Sequence, residues 1–245
     1  MAKSVTLSRW QLDMFTKCPQ CFWLLKRHGI KQPKSFPLAL NLAMDELLKQ
    51  EFDAHRARGA WPIVLAEAGI DAALFRDRIK LDEWRNNFRG LRWTDPDTGH
   101  TLFGAIDDLL EFADGSVAVL DFKASGASAA TIYPDYQLQL DVYTYLLQRL
   151  GYRTAPKAFF AFFLAVKTDG FRGRLPFRAT VLEVVPNPDR VPALFQQAVA
   201  LAQADTLPSR GAACDLCRWL SETSPLLGRQ GGTAGDRLQL ELELG

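Results

Sequence analysis

The sequence predicts an α/β protein built on a mixed sheet. Three observations lead there. Helix-like segments fill the first third of the chain, and a run of short β-rich segments then occupies 90–123. A helix opened by Pro134 and Asp135 follows, and two more strand-like segments come after it, at 156–166 and 176–185. Helices that precede and interrupt a strand series are the pattern of a sheet covered by helices.

In chain order, residues 6–29 read as helical with a break near Pro19, their apolar faces supplied by Leu12, Phe15, Phe22, Leu24 and Leu25. A second helix is expected over 37–58 and a third over 72–88. Turn signals at Asp95–Gly99 and Asp114–Gly115 then bracket LFGAIDDLLEF and SVAVLDF, a meander of about three strands. The helix from Pro134 runs to about Leu150, with Gly151 as its stop. The polar stretch KTDGFRGR joins the two later strands, and a last helix covers 188–204. The second cysteine pair is expected in a loop. From Gly228 the chain is glycine-rich, then alternates apolar and acidic residues, a flexible tail or an added edge strand.

With 245 residues and 48% hydrophobic content there is material for one sizeable core. The expectation is one domain over 1–245 with a cysteine-bearing subregion at 1–35 and 205–227. Lys and Arg total 29 against 28 Asp and Glu, so overall charge favours no class of partner and only its distribution can matter. MAKSVTLSRW has no apolar core for a signal peptide, and no apolar run approaches the roughly 20 residues of a membrane helix. A cytoplasmic protein without membrane contact is expected.

Asp121 and Lys123 lie in VAVLDFKASG, and Asp107 lies in GAID. Side chains alternate along a strand, so Asp121 and Lys123 share a face. A neighbouring strand can bring Asp107 beside Asp121. Two adjacent carboxylates repel unless a cation lies between them, and hard oxygen donors suit Mg2+ or Mn2+. A lysine beside that ion can orient water or offset phosphate charge, which makes a site for phosphodiester hydrolysis. In isolation, Asp–Lys at i, i+2 is an ordinary surface pair. The apolar run Val117–Leu120, which delivers Asp121 out of a buried strand, and Gly104, three residues before Asp107, set this one apart.

All four cysteines fall in two CxxC pairs, Cys18 with Cys21 and Cys214 with Cys217. In a reducing compartment such pairs are ligands more often than disulfides. If the fold joins the two ends of the chain, they form one four-thiolate site, suited to zinc or to an iron–sulfur cluster.

The succession GxxD, apolar strand, D-x-K resembles the PD-(D/E)XK nuclease core, in its RecB-like exonuclease branch with a four-cysteine cluster. That branch carries QxxxY after the lysine, matched here by Gln139 and Tyr143, which share one helix face. LSRWQLDMFTKCP is similar to the branch's opening motif. The resemblance implies a restriction-endonuclease-like core with its N- and C-terminal segments joined by the four-cysteine metal site. It implies catalytic roles for Asp107, Asp121, Lys123, Gln139 and Tyr143, with metal at Asp107 and Asp121. The branch also has a GxxxH helix. Asn41 and Asp45 of NLAMD stand there, so Asp45 is the candidate third ligand, and His28, His55 and His100 do not fit the position. The resemblance implies a [4Fe-4S] cluster at the thiols, although the two-and-two split departs from the branch's one-and-three and leaves [2Fe-2S] and zinc open.

The implied activity is a metal-dependent DNA nuclease, an exonuclease acting on single strands or ends, in repair, recombination or CRISPR adaptation, with a helicase or another protein as partner. The competing reading is a nuclease-fold subunit that binds DNA without cutting; a four-cysteine interaction module is a third. Basic residues for a phosphate backbone occur at Lys26, Arg27, Lys31 and Lys34 and at Lys167, Arg172, Arg174 and Arg178, the latter interleaved with Phe171 and Phe177. Trp10, Trp23 and Trp219 are expected to pack as core around the cysteines.

Overall fold

The computed structural model describes residues 4–33, 39–168, 170 and 173–228. The expected Lys34, Phe171 and Arg172 contacts and the tail beyond Gly228 lie outside the described residues. The chain divides into two compact units, Met1–Asp13 with Pro33–Gln203, and Met14–Gln32 with Ala204–Gly245.

The first unit carries the sheets. Strand β1 (Thr6–Ser8) opens it, where the sequence predicts the start of a helix. Ser8 and Gln11 then start helix α1 (Arg9–Lys17) with reciprocal bonds: Gln11 N donates to Ser8 Oγ at 3.2 Å and Ser8 N to Gln11 Oε1 at 3.0 Å. Such a capping box satisfies two N-terminal amides and fixes the helix start.

Helix α2 (Pro19–His28) belongs to the second unit, and α3 (Ala39–Arg58) returns to the first. A short α4 (Ile63–Glu67) follows, and in place of the single helix expected over 72–88 stand strand β2 (Ala73–Leu74) and α5 (Arg78–Arg85). Asp77 starts α5 by accepting from Lys80 N at 3.0 Å, and a capping side chain of this kind marks a new helix rather than a continuing one.

The meander contains four strands, not three: β3 (Leu91–Thr94), β4 (Thr101–Gly104), β5 (Asp108–Glu111) and β6 (Val117–Ser125). LFGAIDDLLEF breaks at Ala105–Asp107 and serves two sheets. Order β1-β4-β3 makes the smaller; order β2-β5-β6-β7-β8 makes the larger, with β7 at Ala158–Ala165 and β8 at Phe177–Val184. The β6–β7 pair is parallel and the other pairs of the larger sheet are antiparallel. A parallel pair needs a crossover, and α6 (Pro134–Arg149) supplies it. Helix α7 (Val191–Gln203) closes the unit after a 3-10 turn at Pro188–Arg190.

Alternation along β6 sets the site. Ala118, Leu120 and Phe122 join Leu48 and Phe52 of α3 in one apolar cluster, with the Phe52 and Phe122 rings 4.6 Å apart. Asp121 and Lys123 therefore face the other side, towards α6, as the period-two expectation requires.

The second unit contains α2, the end of α1 and α8 (Asp215–Gly228). The second cysteine pair does not sit in a loop: Cys214 immediately precedes α8 and Cys217 lies in its first turn. In this unit Trp23 is buried and donates to the Ala204 carbonyl at 2.9 Å. Trp219 is 58% exposed, and Trp10, in the first unit, is 51% exposed, so neither is core.

Candidate active site and thiol centre

Asp121 is 1% exposed in the middle of β6. Its Oδ1 accepts from Gln139 Nε2 at 2.7 Å, and its Oδ2 pairs closely with Lys123 Nζ. Lys123 also donates to Gln139 Oε1 at 3.1 Å, so one amide of α6 orients both partners. Gln139 Nε2 reaches Tyr143 Oη at 3.3 Å, one turn along the same helix. The Lys123 ammonium lies 4.6 Å from the Tyr136 ring centroid and 5.3 Å from that of Phe160, which hold it by cation–π attraction.

Asp107 comes from the break between β4 and β5. Its Oδ2 accepts from the Phe122 amide at 3.0 Å, which anchors its carboxylate to the residue between Asp121 and Lys123. Its Oδ1 lies 3.0 Å from Lys49 Nζ, and Lys49 donates to Asp45 Oδ2 at 2.8 Å. The structure thus links Asp45 to Asp107 through a lysine that the sequence reading did not single out. Lys49 follows Asp45 by one helical turn, a spacing that gives a visible but unspecific signal.

Burial pushes the Asp121 carboxyl up to about 7; the Asp107 charge adds to this and Lys123 opposes it. Burial lowers the Lys123 ammonium, but Asp121 and Asp107 outweigh it and hold the lysine above its ordinary value. Lys49 is raised in the same way, with burial overcome by Asp107 and Asp45. Burial also holds the Tyr143 hydroxyl up. A carboxylate this costly to ionise needs a cation close by. Asp107 and Asp121 offer hard oxygen donors, and this donor set fits Mg2+ or Mn2+.

Behind Asp107 stands a network that sequence reasoning missed. Arg85 Nε donates to the Asp107 main-chain carbonyl at 2.6 Å, and its terminal nitrogens reach Asp53 at 2.9 Å and Asp108 Oδ2 at 3.1 Å. Arg56 pairs with the same two carboxylates. Asp108 is fully buried, and burial raises its carboxyl against the pull of Arg56 and Arg85. Only the doubled aspartate of AIDD hinted at it.

Gly104 explains part of the motif spacing. A Cβ there would lie 2.7 Å from Tyr143 Cε1 and 3.1 Å from Arg9 Cβ. The missing side chain lets Tyr143 approach. Arg9 contributes a positive charge that favours the ionised forms of Asp121 and Tyr143, and its Nε is buried without a hydrogen-bond partner among the described residues. A cavity of about 340 Å3 opens at Lys123, lined by Asn41, Tyr133, Tyr136 and Phe162. Of the basic residues, Lys167 donates to the Gly126 carbonyl and Arg178 to that of Ser128 at 3.0 Å, both in the segment after β6.

The family comparison covers the residues of this site. The sequence model of the PD-(D/E)XK nuclease superfamily matches residues 6–221. The chain belongs to that superfamily. Its mixed sheet flanked by helices is the restriction-endonuclease-like core. No curated protein sequence matches it significantly. Among solved structures, SSO0001 is similar at 11% identity and a TM-score of 0.41, over 85% of this chain and 81% of that one. LHK-Exo in complex with dAMP is similar at 11% identity and 0.38, over 93% of each chain. The alkaline exonuclease LHK-Exo from Laribacter hongkongensis is similar at 12% identity and 0.36, over 92% and 93%. These likenesses are distant, and membership in the PD-(D/E)XK superfamily rests on the sequence model. No helix among the described residues is long and apolar enough to cross a membrane.

In the second unit the four thiols meet. The Cys18, Cys21, Cys214 and Cys217 sulfurs all lie within 4.8 Å of one another and could hold a metal ion. Among the described residues they are the one group of three or more such side chains to do so. Burial raises the Cys18 thiol, but the Gly211 and Cys21 amides outweigh it and bring it to about 7. Burial pushes Cys21 up to about 11 and Cys217 upwards as well.

Proposed function

We propose that this member of the nuclease superfamily is a divalent-metal-dependent deoxyribonuclease that degrades DNA from an end. The observation that carries the catalytic part is the connected set Asp107, Asp121, Lys123, Gln139 and Tyr143. Asp107 and Asp121 would hold the ion, with Asp45 reaching it only if Lys49 yields its place. A bound Mg2+ or Mn2+ supplies a polarised phosphate and a water acidic enough to attack it. Lys123 carries a fixed positive charge for the phosphate that becomes more negative during attack. Gln139 keeps that ammonium and Asp121 in register, and Tyr143 backs Gln139. The cavity beside Lys123, with Tyr133 and Tyr136 on its wall, offers aromatic faces on which a base can stack.

The exonuclease and DNA preferences are carried by the resemblance of the motifs to the RecB-like branch, as are a role in repair or CRISPR adaptation and a helicase or repair partner. A second reading, a DNA-binding subunit that does not cut, is favoured by one observation. Asp45 stands at the branch's histidine position and is engaged by Lys49.

The test is cleavage of end-labelled single- and double-stranded DNA and of a circular substrate, with Mg2+ or Mn2+. Wild type should cut the linear substrates and spare the circle, and Lys123→Ala should lower the rate by at least about a hundredfold. A folded, metal-supplied wild type that retards DNA without cutting it would establish the non-cutting reading.

A further inference from the structure

The thiol centre departs from what the resemblance implies. A [4Fe-4S] cluster gives each cysteine its own iron, which sets the four sulfurs on the order of 6 Å apart. A two-iron cluster splits them into two pairs separated by a similar distance. A single tetrahedral ion with metal–sulfur bonds of about 2.3 Å sets all four about 3.8 Å apart. Here Cys18 and Cys217 are 3.6 Å apart, Cys21 and Cys214 3.8 Å, and Cys21 and Cys217 3.3 Å. No pair exceeds 4.8 Å. The spacing matches one ion and leaves no room for a cluster core.

The backbone keeps it so. Gly211 N donates to Cys18 Sγ at 3.3 Å, and Cys214 N donates to the Gly211 carbonyl at 3.1 Å. One residue thus ties the early cysteine pair to the late one. A Cβ on Gly211 would lie 2.0 Å from the Lys17 carbonyl oxygen and 3.0 Å from Cys18 Cα. The two segments are in backbone contact, which holds the early pair against the late one. The pairs are also built alike. Cys18 and Cys214 each immediately precede a helix, and Cys21 and Cys217 lie in the first turn. The positive N-terminal ends of both helices therefore face the charge of four thiolates.

We infer that Cys18, Cys21, Cys214 and Cys217 form a structural site for one tetrahedral zinc ion rather than for an iron–sulfur cluster. Four soft thiolates with no open position are the donor set of a closed zinc site. Binding displaces the thiol protons, so the ion becomes part of folding. The inference stands whether or not the first unit cuts DNA.

The experiment is metal analysis of the full chain, expressed with ample iron and zinc and purified without oxygen. One zinc per chain, no acid-labile sulfide and a colourless protein are expected. X-ray absorption of the same sample should show one shell of sulfur at about 2.3 Å and no second metal nearby. As a second measurement, metal-free protein is offered zinc together with ferrous iron and sulfide under anoxia, and zinc alone should be retained. Stoichiometric iron and sulfide in the purified chain, or a cluster assembled in preference to zinc, overturns the proposal.

Discussion

The two clusters of this protein keep their shape by opposite means. The carboxylates of the first unit are surrounded by cations of the chain itself: Lys49 at Asp107, Lys123 at Asp121, and Arg56 and Arg85 at Asp108. The thiols of the second unit are engaged by each other, by the Gly211 and Cys21 amides and by the Gln32 side chain. A site balanced by lysines and arginines can fold before its metal arrives and can release it again. A site whose ligands must all lose protons in one place depends on its ion. On the proposed reading, the difference separates a working site from a structural one.

The largest expected effect follows from that dependence. Structural zinc contributes apparent binding energies of roughly 10–16 kcal/mol in small domains, so losing one ligand removes most of the second unit's stability. Cys217→Ser should expose Met14–Gln32 and the chain after Ala204 to limited proteolysis while the sheets of the first unit stay protected. Asp121→Ala should leave both units protected. Mass spectrometry of the fragments decides, and equal protection of both segments in Cys217→Ser would break the comparison.

Next in size is Arg85→Met. It leaves Asp53 and the fully buried Asp108 with one arginine fewer and frees the Asp107 carbonyl. Removing one partner from a buried ion network costs about 3–5 kcal/mol. A drop in thermal midpoint is expected, together with a weaker Mn2+ affinity read by calorimetry, because the Asp107 main chain loses the Arg85 bond while its carboxylate keeps the Phe122 amide. A midpoint shift with unchanged affinity would make the network scaffold alone and sharpen the boundary of the working site.

Much of this division is legible in the sequence. Strand alternation alone places Asp121 and Lys123 on one face, and helix spacing joins Gln139 to Tyr143. The paired cysteines announce one centre. What stays hidden depends on tertiary contact. LFGAIDDLLEF reads as one strand because its apolar content runs through the break; which sheet each half joins depends on partners distant in sequence. Arg85 and Arg56 lie far along the chain from Asp108, so no local pattern connects them. Cys217 reads as a loop residue because Gly211 and the polar residues around it signal turns, while α8 draws its start from packing against the first cysteine pair within the same unit. The cysteine spacing identifies the ligands but carries no distances, and distances are what separate one ion from a cluster.

The smallest expected effect compares the glycines at the two centres. At Gly104 an added Cβ meets the buried Tyr143 ring and the Arg9 side chain, side-chain groups rather than main chain. At Gly211 it meets the Lys17 carbonyl, which cannot move without the helix that carries it. Overpacking that side chains can absorb costs about 1–3 kcal/mol. Gly104→Ala should therefore lower the thermal midpoint modestly, and should slow cleavage, because a displaced Tyr143 loosens Gln139 and with it the Asp121–Lys123 pair. Gly211→Ala should lower the midpoint further and reduce metal content without touching the chemistry of the metal-loaded fraction. Differential scanning calorimetry and rates per mole of metal-loaded protein give the ordering. If Gly104→Ala melts lower than Gly211→Ala, then the oxygen site is the more rigid of the two, and the lysines and arginines around it act as fixed structure rather than as stand-ins for a cation.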